Sequence, residues 1–509
     1  MKLLIALAVP VLALYLWASF VLSADADVLQ FSSGIYDMDV DDVVMDWTTF
    51  KPGSRPSVHP LAKLLIASIG RPLANMAGER LAAARIIIAV ATTLNALLVA
   101  SLAFQLSRRR GVAAVAGGIY AVSFSAILLG TIPEHASIAG LSAIVPLIFL
   151  NSKLDKPFTR VEAAIWVLLG AFGVAITVTQ VGAWFIALGL RLHFLGCLRD
   201  SRRRTVVLGA AAVAVVAVLI LVGAALQTWT YPGTRRFYEE NIVRNERRWM
   251  RTQDILDAPV WHTARLVEHF ALFDFAAPPP VYSDYLTQLQ GWKPGQAYWV
   301  LSLEETSPGS WRGVRLPLLA GIGFLVGCGL WGLRHADRRF LAPMLFVAAQ
   351  FALHFLYGRE YILYSGNWHG VLVAVLVASA FCTPPRVRTW LRWLLPPLAV
   401  AMLVNNLIVL HKTYAAVAAG LYVGNLDRGS LHRSPRALRS GSGPRTRVGP
   451  GYDGPDALTF GRRGRPGEPD STHGTFPVGM PKGIATHRNT LPAERHFRQL
   501  SIASRPGAA

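Results

Sequence analysis

The sequence predicts an all-α, polytopic integral membrane protein with about eleven transmembrane helices, and three observations carry that expectation. First, the 509 residues are 53% hydrophobic and only 16% charged, with a mean hydropathy of +0.39; a soluble chain of this size is far more polar. Second, apolar runs long enough, or nearly so, to cross ~30 Å of hydrocarbon recur along the first 410 residues. Third, the polar segments between them alternate in charge. "SRRR" (107–110), "NSKLDKPFTR" (151–160), "LRDSRRR" (198–204), "RHADRR" (334–339) and "TPPRVR" (383–388) are basic, whereas "TIPEH" (131–135), "TQVG" (179–182) and "GREYILYSGNWHG" (358–370) hold one basic residue between them, Arg359. Every second loop is basic, so the positive-inside rule puts that set in the cytoplasm.

The expected spans are 3–22, 84–106, 111–131, 136–150, 162–179, 181–197, 205–227, 313–333, 340–357, 369–383 and 391–410. The runs at 136–150, 181–197 and 369–383 are the shortest. On this count the N-terminus is cytoplasmic in a cell (inner) membrane, and the segments 23–83 and 228–312 are external. The first run also ends in "SADAD", a small-residue cleavage site, but its length and the charge alternation favour an uncleaved anchor over a secretory signal. Residues 61–83 are half apolar and interrupted by Arg71–Pro72; they read as one or two helices along the outer interface. Within 228–312, "RRFYEENIVRNERRWM" and "VWHTARLVEHFALFDFAAPPP" show helical spacing with Trp and Phe, and also read as interfacial.

From 411 the chain turns rich in Gly, Pro, Ser and Arg, so 1–410 is the membrane domain and 411–509 a mostly disordered tail. The net charge of +20 sits mainly in the short loops and this tail; the lipid bilayer accounts for the loops, and no nucleic acid is expected as a partner. Cys197, Cys328 and Cys382 lie in or beside apolar runs and imply no disulfide framework.

Candidate chemistry gathers in the external loops. The first holds Asp37, Asp39, Asp41, Asp42 and Asp46, then "RPSVHPL" with Arg55 and His59. An ionised Asp in mid-membrane costs ~2.5–3.5 kcal/mol on the gentlest scale, so these acids face water or a polar cavity. They read as a solvated loop or, with Arg and His following, as a place to grip an anionic head group and deprotonate a hydroxyl. Glu134 is the only acid of the turn "PEH"; it reads either as a helix-start carboxylate or as a second acid facing the first loop. The third segment offers Arg359, Glu360, Tyr364, Trp368 and His369. An aromatic belt accounts for Tyr and Trp, and Arg359 suits a phosphate.

An N-terminal span, a first loop with Asp residues, "HPL" opening a juxtamembrane helix, and "PE" after the third span together resemble the GT-C superfamily of membrane glycosyltransferases. That superfamily includes the protein O-mannosyltransferases and the aminoarabinose transferase of lipid A. The "HPL" and "YGREYILYSGNW" segments look most like the bacterial subgroup described as glycosyltransferase family 39-like, over roughly residues 1–410. The resemblance implies a polyprenyl-phosphate sugar donor and inverting transfer on the external face. It assigns the general base to Asp39, with Asp37, Asp41 or Asp42 as rivals, and a second acid to Glu134. Phosphate binding falls to Arg55, His59 and Arg359, with Glu360 and Tyr364 beside them. Better-known members carry an adjacent Asp-Glu pair where this chain has "DMDVDD", so which Asp acts as base stays open. The carboxylates could hold Mg²⁺ or Mn²⁺, though no ligand spacing demands it. A transporter or flippase of a lipid-linked saccharide, or an inactive scaffold of the same fold, are the alternatives. Against a transporter stand the absence of an internal repeat and the gathering of the acids at one face.

Overall fold

The computed structural model describes residues 2–24, 28–29, 36, 38–53, 58–194, 202–236, 250–278, 281–283, 300–302, 315–358 and 361–418. It is an all-α polytopic membrane protein. In order, the helices are α1 (Lys2–Trp17, continued by a π-turn, Ala18–Leu22), α2 (Val40–Thr48), α3 (Ala62–Ala77), α4 (Arg80–Ser107), α5 (Arg110–Val122), α6 (Phe124–Leu129), α7 (Ala136–Lys153), α8 (Arg160–Ile176) and α9 (Val181–Phe194). There follow α10 (Arg202–Thr230), α11 (Thr252–Asp257), α12 (Pro259–Glu268, continued by a π-turn, His269–Phe273), α13 (Arg315–Gly332), α14 (Leu341–Leu356), α15 (Tyr361–Tyr364), α16 (His369–Ala380) and α17 (Pro385–Ala418). One two-stranded antiparallel ribbon pairs β1 (Val281–Ser283) with β2 (Val300–Ser302).

Each of the expected spans carries helix. Seven described helices are individually long and apolar enough to cross a bilayer, and the pair Tyr361–Asn367 with His369–Ala380, bent by 66°, makes up to eight. The three remaining runs are met by α8, α9 and the broken pair α5–α6. That pair breaks at Ser123, whose backbone is extended, and the freed groups find partners across the bundle. The Phe124 and Ser125 amides donate to the carbonyls of Phe275 and Asp274, each at 3.1 Å. Asn406 of α17 donates Nδ2 to the carbonyls of Val122 and Phe275, both at 2.8 Å. A broken helix survives at membrane depth only where such groups are re-satisfied.

The charge alternation maps onto two ends. At one end the basic turns touch: Arg109 donates to the Phe381 carbonyl, Arg338 pairs with Asp155, and Arg191 donates to the Lys156 carbonyl. Beside them the buried Arg191 and Glu162 form a two-pronged ion pair at 2.6 and 3.0 Å. At the opposite end the first loop is tied to the turns after α8 and α10. The Leu61 amide donates to Ala175, Val178 to Val58, and Gly53 to the Thr234 hydroxyl. Gln227 bridges the Pro60 carbonyl and the Leu64 amide.

Residues 61–83, expected as one or two interfacial helices, form one helix, α3, that runs unbroken through Pro72 to Ala77, and residues from Arg80 onward belong to α4. Pro72 and Ser68, whose carbonyl loses its amide partner, are both exposed, so the break in the hydrogen-bond ladder lies on the surface. Three expectations need correction. The segment after α12 does not lie along the interface. Phe273, Phe275, Ala276 and Ala277 are fully buried, and Asn405 donates to the Ala277 carbonyl, so this stretch plugs into the bundle. Trp368 is no belt residue, being fully buried and stacked on Phe270 at 4.3 Å. Finally, α17 extends the membrane domain to Ala418. The tail expected at 424–509 lies outside the described residues.

Candidate functional site

The three non-basic segments meet at the acidic end. The turn 131–135 is entirely buried. Its Glu134 carboxylate accepts the His135 amide at 2.8 Å, satisfying one of the free N–H groups at the start of α7. The His135 ring is covered on two sides. Trp47 of α2 meets it edge-on at 5.4 Å, and His59 stacks on it at 4.1 Å with 25° between planes. His59 in turn places Nδ1 2.8 Å from the Ile176 carbonyl and 3.1 Å from the Thr177 hydroxyl. A carbonyl only accepts, so Nδ1 carries a proton.

The third segment arrives from behind. Gly366 approaches α7 so closely that a Cβ there would lie 2.5 Å from the Ala136 carbonyl oxygen, and its own carbonyl meets the position of a Cβ on Gly140 at 2.7 Å. Only glycine permits that contact. Tyr364, two residues earlier, is half-buried between His354 at 4.9 Å and Tyr357 at 5.8 Å. Its ring presses on Gly358, which holds φ +90°.

The acids of the first loop are distributed along α2. Asp39 is half-buried at its N-cap position without capping the helix through its side chain. Asp41 and Asp42 stand exposed in the first turn, where the helix dipole favours carboxylates. The end of α2 that reaches the Glu134–His135 turn is the other one, carrying Asp46 and Trp47. At 1.5 Å per residue, Asp39 and Asp42 sit about 12 and about 7.5 Å from Trp47 along the axis. Asp46 is buried against Lys63, whose ammonium donates to the Asp46 and Thr49 carbonyls at 2.9 and 3.3 Å and lies over the Tyr231 ring. Burial pulls the Lys63 ammonium below its ordinary range; Asp46 opposes this and Arg71 adds to it. The other site candidates, Asp37, Arg55, Arg359 and Glu360, lie outside the described residues.

A second polar cluster gathers around Asp274, a residue that was not among the sequence candidates. Asp274, fully buried, accepts from Trp368 Nε1 at 2.8 Å and from the Ser125 hydroxyl at 3.0 Å, with His369 Nδ1 3.8 Å away. Burial pushes its carboxyl up to about 8, against the pull of the two hydrogen bonds, so it is mostly protonated at neutral pH. His269 and His369 are fully buried with both ring nitrogens of each unpartnered. Burial, with Arg265 and Arg251 adding, holds His269 down to about 3. Arg251 itself donates to the Tyr361 hydroxyl at 2.9 Å. The sequence signal was an aspartate inside "HFALFDF": a carboxyl in such company must be either solvated or hydrogen-bonded in the core.

Among the described residues no three His, Cys, Asp or Glu side chains come together as metal ligands. The acidic end thus offers a buried carboxylate, an imidazole oriented by a backbone carbonyl, and exposed carboxylates on the helix that abuts them. No protein-family model matches the chain, and no curated protein matches it. Among solved structures, the crystal structure of the oligosaccharyltransferase of Archaeoglobus fulgidus in its apo form is similar to it, with a TM-score of 0.40 and 13% identity. The likeness covers 86% of this chain and 59% of that one, so the chain spans less than two thirds of that protein's length.

Proposed function

We propose that the protein is a membrane glycosyltransferase of the GT-C type. It moves a sugar from a polyprenyl-phosphate donor to an acceptor hydroxyl at the acidic end, taken as the external face of a cell membrane. The observation that carries this reading is the stack of His59 on His135, beside Trp47 and directly after Glu134. It joins the first acidic loop, the PEH turn and the juxtamembrane helix in one place.

In the proposed reaction a first-loop carboxylate, Asp39 or its neighbour Asp42, takes the acceptor's proton as its oxygen attacks the anomeric carbon. General-base action of this kind supplies ~10²–10⁴-fold. The bond from the anomeric carbon to phosphate breaks on the opposite face, giving inversion and releasing polyprenyl phosphate. A phosphate is a good leaving group and needs charge stabilisation more than acid assistance; Arg55, His59 and Arg359 are assigned that part. Glu134 orients the turn that bears His135.

The test is transfer of labelled sugar from polyprenyl phosphate in membranes carrying Asp39→Asn, Asp42→Asn or Glu134→Gln at matched expression. A loss of about 10²-fold or more in Asp39→Asn or Asp42→Asn supports the assignment. Undiminished transfer in all three variants overturns it.

A further inference from the structure

At the basic end, opposite the site above, α1, α4, α5 and α7 enclose a cleft of about 610 Å³. Its rim carries Arg108, Arg110, Lys156 and Asp155, and its floor Asn151 and Gln105. The charges do not cancel. Asp155 is paired with Arg338, whereas no carboxylate pairs with Arg108, Arg110 or Lys156 among the described residues. Three cations therefore converge on one opening, walled on its inner side by Leu4 and Phe104.

Two further observations point to a ligand. Asn151 is 94% buried, its exposure being 6%, yet neither its amide nitrogen nor its oxygen has a hydrogen-bond partner, and the Gln105 oxygen is likewise unpartnered. Buried polar atoms left unsatisfied cost free energy and call for an occupant. Arg108, moreover, holds φ +57° at the C-cap of α4. Glycine is the usual residue there; only one other non-glycine among the described residues, Tyr36, has positive φ. A guanidinium is kept at a backbone position that disfavours it.

We propose that this cleft binds a phosphate ester, gripped by Arg108, Arg110 and Lys156, with the Asn151 and Gln105 amides bonded to its polar remainder. Guanidinium groups match phosphate oxygens in geometry as well as charge, and basic pockets between membrane helices on one leaflet suit anionic head groups. The same chemistry is offered by a phospholipid head group and by a soluble phosphate ester.

The experiment uses the full chain purified in detergent, with native mass spectrometry to count retained phosphatidylglycerol against phosphatidylcholine. Thermal shift with glycerol 3-phosphate and with inorganic phosphate forms the soluble arm. Phosphatidylglycerol is expected to be retained preferentially, and about tenfold less in Arg108→Gly and in Asn151→Leu, while Arg334→Gln, an exposed cation of the same end but outside the cleft, changes nothing. Without added ligand, Arg108→Gly relieves the left-handed backbone and Asn151→Leu removes an unsatisfied amide. Both variants are therefore expected to melt no lower than the parent, which a merely structural role would not allow. A shift with the soluble esters that the same variants abolish supports the site and identifies its ligand as soluble. Retention equal for both lipids with no soluble shift overturns the proposal, and so does a loss in Arg334→Gln as large as in Arg108→Gly.

Discussion

The imidazole of His59 lies face to face with that of His135, their centres 4.1 Å apart, although 75 residues of chain separate them. One ring belongs to the loop before α3 and the other to the turn before α7. Their contact brings two segments of the acidic end onto one surface beside Glu134. His59 is in turn pinned by the Ile176 carbonyl, so the stack is anchored to a third segment.

The first prediction concerns that anchor. His59→Ala removes the ring and one of the two donors to the Ile176 carbonyl, which keeps the Thr177 hydroxyl, a loss of about 0.5–1.5 kcal/mol. His59→Asn keeps a donor near the Nδ1 position but not the stacking face. Transfer activity is expected to fall in both variants, whereas melting in detergent recovers in Asn relative to Ala. Equal melting of the two would remove the hydrogen bond from the explanation.

A second prediction follows from Asp274. Its carboxyl ionises at about 8 in the folded protein against 3.8 ordinarily, so folding retains a proton that the unfolded chain gives up. The stabilisation is fully present below pH ~4 and is lost as pH rises through the folded value, levelling off above it. Melting of the parent should therefore fall between about pH 4 and pH 8. In Asp274→Asn, which cannot ionise but still accepts from Trp368 or Ser125, this part of the slope should vanish. Asp274→Leu should melt lower at every pH, because it orphans both donors. Parallel pH slopes for parent and Asn variant would show that Asp274 is not the group concerned.

How far these features were legible in the sequence depends on the range of the interaction. The spans were legible because hydrocarbon demands a run of apolar residues wherever a helix crosses, and the two ends because basic loops alternate with non-basic ones. Ser123 was not legible as a break. It lies inside an apolar run, and what permits it is Asn406, 283 residues away, together with the Asp274 and Phe275 carbonyls. Asp274 itself was read as interfacial for the same reason, since its partners Trp368 and Ser125 are distant in the chain. Arg71–Pro72 left one helix or two open in the sequence, and the packing of α3 on α2 and α4 carries the single helix through. Among the site candidates, the spacing of the acids showed their number but not which end of α2 would meet His135.

A third prediction tests the approach of the third segment to the turn 131–135. In Gly366→Ala the added methyl would stand 2.5 Å from the Ala136 carbonyl oxygen, and neither backbone can yield without moving α7. The expected cost is about 1–3 kcal/mol of overpacking, with a larger fractional loss of transfer than Gly323→Ala, where a Cβ meets nothing within 4 Å. Comparable activity and melting for the two variants would deny that the contact positions the turn.

The last prediction concerns the buried pair at the basic end. Arg191 and Glu162 are 0% and 1% exposed and bonded through two contacts. Removing one partner strands a charge in a low-dielectric setting, at about 3–5 kcal/mol, whereas removing both leaves only a packing defect. Glu162→Gln and Arg191→Met should each lower the melting temperature and the yield of folded protein, and the double variant should recover most of the loss. Because α8 ends at the Ile176 carbonyl that holds His59, the single variants should also depress transfer from the far side of the membrane. If the double variant proves worse than either single one, the two residues act independently, and the link between the ends of α8 fails with them.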